Sequence, residues 1–298
     1  MTNKKSVVVT GASTGIGWAI SKVLLARNFQ VYGTVRKPGD AARLQREFGS
    51  DFFPLLLDVT DESAVCSAAE QVKERLGQAT LAGLVNNAGI AVAGPLLHLP
   101  IAEYRHQLEV NLVAPLLVTQ AFAPLLGTDR NRQGQPGRIV NISSVGGNVG
   151  VPFLGAYVAS KHGLEGMSES LRRELLIYGI DVIVIGPGSV VTPIWDKAES
   201  ADAMAYQATE YAPILDHFRK YFIAEGRKGL PPEAIGRAVH IALTAARPKV
   251  RYAVVSRRLV NWTLPMLLPK RVLDKMIGKQ FSLAGGNVSA GRRVGVTG

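Results

Sequence analysis

The chain has little cysteine, no long apolar run and, towards its C-terminus, almost no negative charge. Cys66 is the one cysteine among 298 residues, which excludes an intramolecular disulfide and a cysteine-built metal site. No window approaches the roughly 18 uninterrupted apolar residues of a membrane span, and the apolar run that reaches Gly11 lacks a signal-peptide cleavage pattern. The five histidines show no paired ligand spacing. We therefore expect a cytoplasmic protein, soluble or peripheral to a membrane, without a metal.

The net charge of +11 is unevenly distributed. Residues 1–246 carry 23 Lys/Arg against 22 Asp/Glu, whereas residues 247–298 carry 11 Lys/Arg against Asp274 alone. A nucleic-acid enzyme spreads basic residues over a groove or a recognition helix, and the first four-fifths of the chain has no such surplus. The sequence therefore predicts no nucleic-acid partner.

Apolar, β-branched segments alternate with segments of helical periodicity. Strands are predicted at 6–10, 30–35, 51–57, 80–87, 137–143, 180–186 and 251–255, with helices near 15–28, 39–48, 61–77, 101–126, 154–178 and 232–246. Apolar strands joined by helical crossovers predict an α/β fold with a doubly wound parallel sheet. We expect one domain over 1–256, a helical substrate-pocket insertion over 193–230, a helical C-terminal extension over 257–283 and a disordered tail over 284–298.

Tyr157 and Lys161 are four residues apart in a predicted helix, and Ser144 precedes Tyr157 by thirteen residues. Positions i and i+4 share a helix face, so the phenol and the ammonium converge if that face lines a pocket. A free phenol has a pKa of about 10, and a nearby cation lowers that pKa. Ser144 would hold a substrate oxygen, with Ser143 as the competing serine. The alternative is that Tyr157 is a half-buried aromatic residue and Lys161 a solvated one.

A glycine-rich turn follows the first predicted strand and opens the first helix, with Gly11, Gly15 and Gly17 in TGASTGIG. Glycines there allow a tight turn and close approach of the backbone to a pyrophosphate, which a helix N-terminus favours. The alternative is a glycine-rich connection that binds nothing.

The GxxxGxG spacing, with Asn86-Asn87-Ala88-Gly89, Ser144 and the Tyr157/Lys161 pair, resembles the short-chain dehydrogenase/reductase family over about residues 5–255. The GTVR strand end and the extended C-terminus look like its steroid- and retinol-dehydrogenase branch. The resemblance implies a Rossmann-type fold and a catalytic set of Asn111, Ser144, Tyr157 and Lys161. In that family Lys161 would bind the nicotinamide ribose, and Asn111 would hold a water that links Lys161 to solvent.

The resemblance also implies which residues contact a dinucleotide. Asp58 matches the acidic residue that contacts the adenine, although an Asp at a strand end is equally typical of a helix N-cap. Pro187-Gly188 begin the segment that contacts the nicotinamide carboxamide. The candidate cofactor residues are Gly11, Ser13, Thr14, Gly15, Ile16, Gly17, Arg36, Asp58, Val59, Asn86, Asn87, Ala88, Gly89, Tyr157, Lys161, Pro187, Gly188, Val190 and Thr192.

The end of the second strand indicates which dinucleotide is used. NAD-specific members of such a fold carry Asp or Glu there, whereas this chain reads Gly33-Thr34-Val35-Arg36-Lys37. A guanidinium pairs with a phosphate in bidentate fashion and stacks on adenine, which makes Arg36 the natural discriminator. The glycine turn lacks the basic residue of many NADP-preferring relatives. We favour NADP(H), with NAD(H) as the alternative.

The implied activity is hydride transfer between the nicotinamide and a secondary alcohol or ketone, with Tyr157 as the proton donor in reduction. Mostly apolar residues are expected to line the outer pocket, which suits a bulky hydrophobic substrate such as a steroid, a retinoid or a long-chain or aryl ketone. They are Val145, Val149, Val151, Phe153, Leu154, Ile194, Trp195, Met204, Tyr206, Tyr211 and Phe218.

The segment 257–281 interleaves cations with apolar residues from Trp262 to Phe281. A basic amphipathic helix of this kind lies in a membrane interface, or else it caps the substrate pocket or packs at a subunit interface. The family resemblance implies a homodimer or homotetramer formed through the helices near 101–126 and 154–178. The rival functions are a non-catalytic NADP(H)-binding regulatory protein and a membrane-associated scaffold.

Overall fold

A computed structural model describes residues 4–200 and 206–283 of the chain. Their seven strands form one sheet in the order β3-β2-β1-β4-β5-β6-β7, and every neighbouring pair is parallel. The strands are β1 (Lys5–Val9), β2 (Phe29–Val35), β3 (Phe52–Leu56), β4 (Gly83–Asn86), β5 (Arg138–Ile142), β6 (Asp181–Pro187) and β7 (Arg251–Val254). The doubly wound prediction is confirmed. Strand order reverses between β1 and β4, which is where such sheets bind ligands, outside the carboxyl ends of the strands.

Helices cover both faces of the sheet. They are α1 (Gly15–Leu25), α2 (Pro38–Phe48), α3 (Glu62–Leu76), α4 (Ile101–Leu108), α5 (Ala114–Ala123), α6 (Gly155–Glu174), α7 (Ile194–Ser200), α8 (Ala212–Arg227), α9 (Glu233–Thr244), α10 (Leu264–Leu267) and α11 (Lys270–Gln280). Short 3-10 turns cover Gly49–Asp51, Val145–Gly147 and Leu175–Tyr178, and π-helical turns cover Glu109–Val113, Pro124–Thr128 and Leu259–Thr263.

Two apolar cores follow from the two-residue period of the strands. Val7 and Val9 of β1 pack with α1, α2 and α9 on one face, and Val8 packs with α3 and α5 on the other. A third buried cluster lies outside the sheet, where Phe153 and Leu154 meet Phe218 of α8 and Phe281.

The helical stretch Ile101–Thr128, which contains α4 and α5, is the one helix of the described residues that is long and apolar enough to cross a membrane. Its most apolar window is 50% buried inside the fold. Val118 and Phe122 of this stretch pack in the core beneath the sheet. It is therefore a crossover helix that connects β4 to β5.

Residues 284–298, predicted to be disordered, and Met204 of the predicted pocket lie outside the described residues. The segment 127–136, predicted to be an exposed loop, is mostly exposed.

Candidate active site

The glycine turn is closely packed at the carboxyl end of β1. Gly11 and Gly15 have positive φ angles of 67° and 60°, which favour glycine. A Cβ on Gly17 would overlap the carbonyl oxygen of Gly11. The amide of Asn87 donates to the carbonyl oxygens of Thr10, at 2.8 Å, and Gly11, at 3.2 Å, so the strand end after β4 fixes the turn.

The N-terminus of α1 suits an anionic ligand. No side-chain hydrogen bond caps it at Thr14, and its first turn contains no acidic residue. The first N–H groups of a helix have no partner within the helix, and the helix dipole favours negative charge at that end. These features, together with the close-packed glycines, fit a dinucleotide pyrophosphate.

Arg36 and Asp58 face each other beyond the ends of β2 and β3. Their charged atoms are 3.8 Å apart, and the Arg36 side chain is 71% exposed. Burial acts to raise the pKa of the Asp58 carboxyl, but hydrogen bonds from Thr60 and the charge of Arg36 outweigh it and hold this pKa below its ordinary value. The N-cap alternative for Asp58 is wrong: Asp58 bonds Thr60 in a local turn, and Asp61 caps α3.

The Asn86-Asn87-Ala88-Gly89 segment supports the sheet more than it exposes polar groups. Asn86 donates to Asn141 Oδ1 at 2.9 Å and to Thr119 Oγ1 at 3.1 Å, and is 3% exposed. Ala88 and the buried Val59 line the same small cavity beside Thr10. The backbone N–H groups of Asn87 and Ala88 donate to the Thr10 hydroxyl. Gly89 lies beside the Asn111 side chain.

Ser144, Tyr157 and Lys161 meet at the carboxyl end of β5. Ser144 follows that strand, and its hydroxyl lies close enough to the half-buried Tyr157 for hydrogen bonding to act to lower the pKa of the phenol. Lys161 is one helical turn after Tyr157; its Nζ lies 5.8 Å from the Tyr157 ring centroid and donates to the carbonyl oxygen of Ile142 at 2.8 Å. The Ser143 hydroxyl is buried with no partner among the described residues, so Ser144 is the serine that meets the tyrosine.

The acidity of this pair differs from the sequence expectation. Burial raises the pKa of Tyr157, and the Ser144 hydrogen bond opposes that rise without cancelling it. Burial lowers the pKa of Lys161 to about 8, although the negative charge of Glu165 acts to raise it. The expectation that Lys161 brings the phenol pKa down is therefore corrected: desolvation dominates at both groups because neither is exposed.

Asn111 lies in the π-helical turn between α4 and α5, and such turns are frequent at functional sites. Its Oδ1 accepts from the Ile90 N–H at 2.9 Å, and its Nδ2 donates to Ile90 O at 3.0 Å and Ser160 Oγ at 3.1 Å. Asn111 is thereby fixed between the segment after β4 and helix α6. Its water-binding role stays a prediction.

The segment after β6 lies over the glycine turn. Gly188 donates its N–H to Val254 O at 3.0 Å, and Val190, 4% exposed, forms an isolated bridge with Leu230. The Thr192 side chain comes within 3.4 Å of where a Cβ of Gly15 would lie. The segment that begins at Pro187 therefore borders the same crevice as the glycine turn.

Some of the predicted pocket residues are buried together, and others are half-buried or exposed. Phe153, Leu154 and Phe218 are buried together, with Val151, Tyr211 and Tyr157 packed against them. Trp195 stacks edge-on against Phe222, and Tyr206 lies against Gly94. Val145 and Val149 are half-buried, whereas Ile194 is 42% exposed.

Several side chains around the crevice were missed in the sequence. Thr34 Oγ1 accepts from the Gly11 N–H at 2.9 Å, and Arg43 donates to Ser13 O at 2.6 Å. Glu165 and Arg251 form a half-buried ion pair behind Ser144. Glu165 follows Lys161 by four residues, so the helical period could have found it. Arg251 begins a short strand and carries no local signal.

The family model described as short chain dehydrogenase matches residues 5–203. The NADPH-dependent 3-dehydrocapnine reductase of Ornithobacterium rhinotracheale is 41% identical over 92% of this chain and 96% of its own. Retinol dehydrogenase 5 of Mus musculus is 33% identical over 91% of this chain and 87% of its own. A crystal structure of a short-chain dehydrogenase from Streptomyces avermitilis superposes with a TM-score of 0.74 at 26% identity, covering 96% of this chain and 100% of that one.

Proposed function

The chain belongs to the short-chain dehydrogenase family, and as an oxidoreductase of that family it acts on alcohol or ketone groups with a nicotinamide dinucleotide; on that premise we propose that it uses NADP(H) and acts on a bulky, apolar ketone or secondary alcohol. The observation that carries the proposal is the meeting of Ser144, the half-buried Tyr157 and the buried Lys161 at the carboxyl edge of the sheet.

We assign the catalytic roles as the family resemblance implies them, and this geometry supports the assignment. A bound nicotinamide supplies or accepts the hydride. Ser144 holds the substrate oxygen, and Tyr157 gives that oxygen a proton in reduction and removes it in oxidation. Lys161, which is protonated below its pKa of about 8, would hold the ribose hydroxyls of the dinucleotide and places a positive charge beside the Tyr157 ring. Asn111 fixes the segment that borders α6 and is the candidate site for a water that relays the proton.

NADP(H) preference is assigned to Arg36. Its side chain is 71% exposed at the end of β2, where it can contact a 2′-phosphate. The neighbouring Asp58 offsets part of its charge, and Lys37 adds a second cation. The relative from Ornithobacterium rhinotracheale, named as NADPH-dependent, is consistent with this assignment.

The apolar cluster next to Tyr157 supports a hydrophobic substrate. Phe153, Leu154 and Phe218 form its buried part, and Tyr157 packs against it. A substrate whose carbonyl meets the Tyr157 hydroxyl therefore has aromatic and aliphatic walls beside it, as suits a steroid, a retinoid or a long-chain or aryl ketone.

The experiment is a fluorescence titration with NADPH and NADH, followed by a panel of ketones read at the nicotinamide absorbance. Tyr157→Phe should abolish turnover and keep NADPH binding, whereas Tyr221→Phe, a matched change at an exposed tyrosine, should keep both. Arg36→Ala should weaken NADPH binding by about tenfold to a hundredfold, since a charge-assisted hydrogen bond contributes about 1.5–3 kcal/mol. Arg46→Ala removes an exposed charge from α2 and is its control. Turnover by Tyr157→Phe would refute the assignment.

We also propose a homo-oligomer and a peripheral membrane contact as partner assignments. Leu267 at the end of α10 is 76% exposed, and Met276, among the cations of α11, is 51% exposed. Ile277 and Phe281 instead pack on the apolar cluster, which supports pocket capping by the other side of the same segment. Sedimentation with anionic liposomes should fall for Leu267→Ser combined with Met276→Ser, and equal sedimentation would remove the membrane contact.

A further inference from the structure

A half-buried ion pair joins helix α6 to strand β7 directly behind Ser144. Arg251 Nε lies 3.1 Å from both carboxylate oxygens of Glu165, and Nη2 lies 3.0 Å from Oε1. The two side chains are 18% and 16% exposed. A pair this sheltered is held in one geometry and is screened little by salt.

Two glycines make room for this pair. A Cβ on Gly186 of β6 would overlap Nη2 of Arg251, and a Cβ on Gly147 would come within 2.9 Å of Cγ of Glu165. Neither glycine has a positive φ angle, so backbone conformation does not require them. The space they leave is occupied by the guanidinium and the carboxylate.

Arg251 also contacts the backbone of the serine. Its Nη2 donates to Ser144 O at 3.2 Å, and the same oxygen accepts the Gly147 N–H at 3.0 Å. On its other side, Arg251 lies 4.1 Å from the ring centroid of Trp262, in cation–π contact. Trp262 belongs to the π-helical turn Leu259–Thr263 that opens the C-terminal extension.

Glu165 lies on the same face of α6 as the reactive pair, because Tyr157, Lys161 and Glu165 follow one another at intervals of four residues. Its charge acts to raise the pKa of Lys161 against the effect of burial. Arg251 therefore contacts two neighbours of the site at once, the backbone of Ser144 and the carboxylate that acts on Lys161.

We propose that Arg251 is a positioning residue of the site, and that Trp262 completes it by covering the guanidinium, so that the C-terminal extension is required for the chemical step. Arg251 fixes the Ser144 backbone and the Glu165 carboxylate, and Glu165 keeps Lys161 protonated. The expected effect on turnover rests on the proposed function. The contacts of Arg251 with Glu165, Ser144 and Trp262, here called the Arg251 network, can be measured without a substrate.

The ionisation of Lys161 depends on the charged groups that surround it, so these groups must be known before a pH dependence is assigned to Lys161. Tyr157 and Glu165 lie on its own helix, and Arg251 reaches Glu165 from β7. The remaining charged residues on the elements packed against α6 are exposed in the described part of the chain: Glu103, Arg105, His106, Glu109 and Asp181.

The first test compares the turnover of four variants. Arg251→Met and Trp262→Ala should lower kcat about tenfold to a hundredfold at unchanged NADPH affinity, since a displacement near 1 Å of a reacting group has effects of about that size. Trp262→Phe keeps an aromatic face and should keep most of kcat. Glu165→Gln should move the fall of kcat at alkaline pH to lower pH, because Lys161 loses its proton earlier.

The second test needs no substrate. In Glu165→Gln the pH at which the free energy of unfolding begins to rise, which reports the ionisation of Lys161, should move to lower pH. Glu169→Gln, an exposed carboxylate one turn further along α6, is the matched control and should leave it in place. Arg251→Met and Trp262→Ala should speed tryptic cleavage within 257–283, and Trp262→Phe should not.

The outcomes distinguish a failure of the positioning role from a failure of the proposed function. Unchanged kcat and cleavage in both Arg251→Met and Trp262→Ala would overturn the positioning role, and equal pH behaviour of Glu165→Gln and Glu169→Gln would overturn the role of Glu165. If Arg251→Met fails to fold, Trp262→Ala decides, because Trp262 lies on the extension outside the sheet. A wild-type protein that reduces no ketone refutes the proposed function alone, since the unfolding and cleavage measurements still test the network.

Discussion

The burial of Lys161 should leave a signature in the pH dependence of stability. Lys161 is 6% exposed, and its pKa is lowered from 10.5 to about 8, mainly by burial. In the unfolded chain the ammonium regains its ordinary pKa. Between these two values the unfolded state binds the proton and the folded state does not, so the free energy of unfolding rises as pH increases from about 8 to about 10.5.

The size of the effect follows from the two pKa values. Their difference corresponds to about 3 kcal/mol over the whole range, and about 2 kcal/mol of it falls between about pH 7.5 and about pH 9.5. Tyr157 acts in the opposite direction only above about pH 10, because burial raises its pKa and the unfolded phenol ionises first. The interval below that pH therefore reports Lys161.

The assay is urea unfolding at the two pH values, at one fixed protein concentration so that association contributes equally. Lys161→Met keeps the length of the side chain and removes its charge. Between the two pH values, the free energy of unfolding of this variant should rise by about 2 kcal/mol less than that of the wild type. Every other group that titrates in this range contributes equally to the wild type and to the variant, so the difference between the two proteins reports Lys161. An equal change in the free energy of unfolding for the wild type and Lys161→Met would refute the claim that Lys161 is buried with a lowered pKa.

Three further changes have defined outcomes. Gly17→Ala should lower the free energy of unfolding by about 1–3 kcal/mol, seen as a lower Tm, because the added Cβ overlaps the glycine turn. The same change should weaken NADPH binding. Ser144→Ala should raise the pH at which the Tyr157 phenol ionises, followed by ultraviolet difference absorbance, because the hydrogen bond that lowers its pKa is lost. Phe281→Ala should release helix α11, seen as faster proteolysis, because Phe281 is 6% exposed within the apolar cluster.

Each of these changes has a matched control on the same chain. Gly166→Ala, in the interior of α6 with open space around it, should raise stability by about 0.5–1 kcal/mol. Ser143→Ala removes a hydroxyl with no partner among the described residues and should leave the Tyr157 titration unchanged. Met276→Ala, on the exposed side of α11, should leave proteolysis near the wild-type rate. A control that behaves like its partner would contradict the contact in question.

The sequence predicted the sheet and the location of the site. The apolar strands and helical crossovers of 6–255 predicted the parallel sheet, because a strand buried on both faces needs a continuous apolar run. The glycine turn, the Asn86-Asn87-Ala88-Gly89 segment and the serine lie at the carboxyl ends of strands, and in a parallel sheet these ends share one edge. The spacing of Tyr157 and Lys161 predicted their shared helix face.

The tertiary structure decided what local spacing does not contain. Burial, not the neighbouring ammonium, controls the pKa of Tyr157, since desolvation depends on every element that surrounds the phenol. Asp58 accepts hydrogen bonds from Thr60 and faces Arg36, whereas Asp61 caps α3, so the N-cap alternative is excluded and the adenine contact of Asp58 stays a prediction. Arg251 reaches Ser144, and Trp262 covers Arg251, only because β7 lies beside β6, more than a hundred residues along the chain from the serine. Sequence periodicity reports which side of an element is apolar, whereas contacts between distant elements, and the desolvation they cause, exist only once the chain is folded.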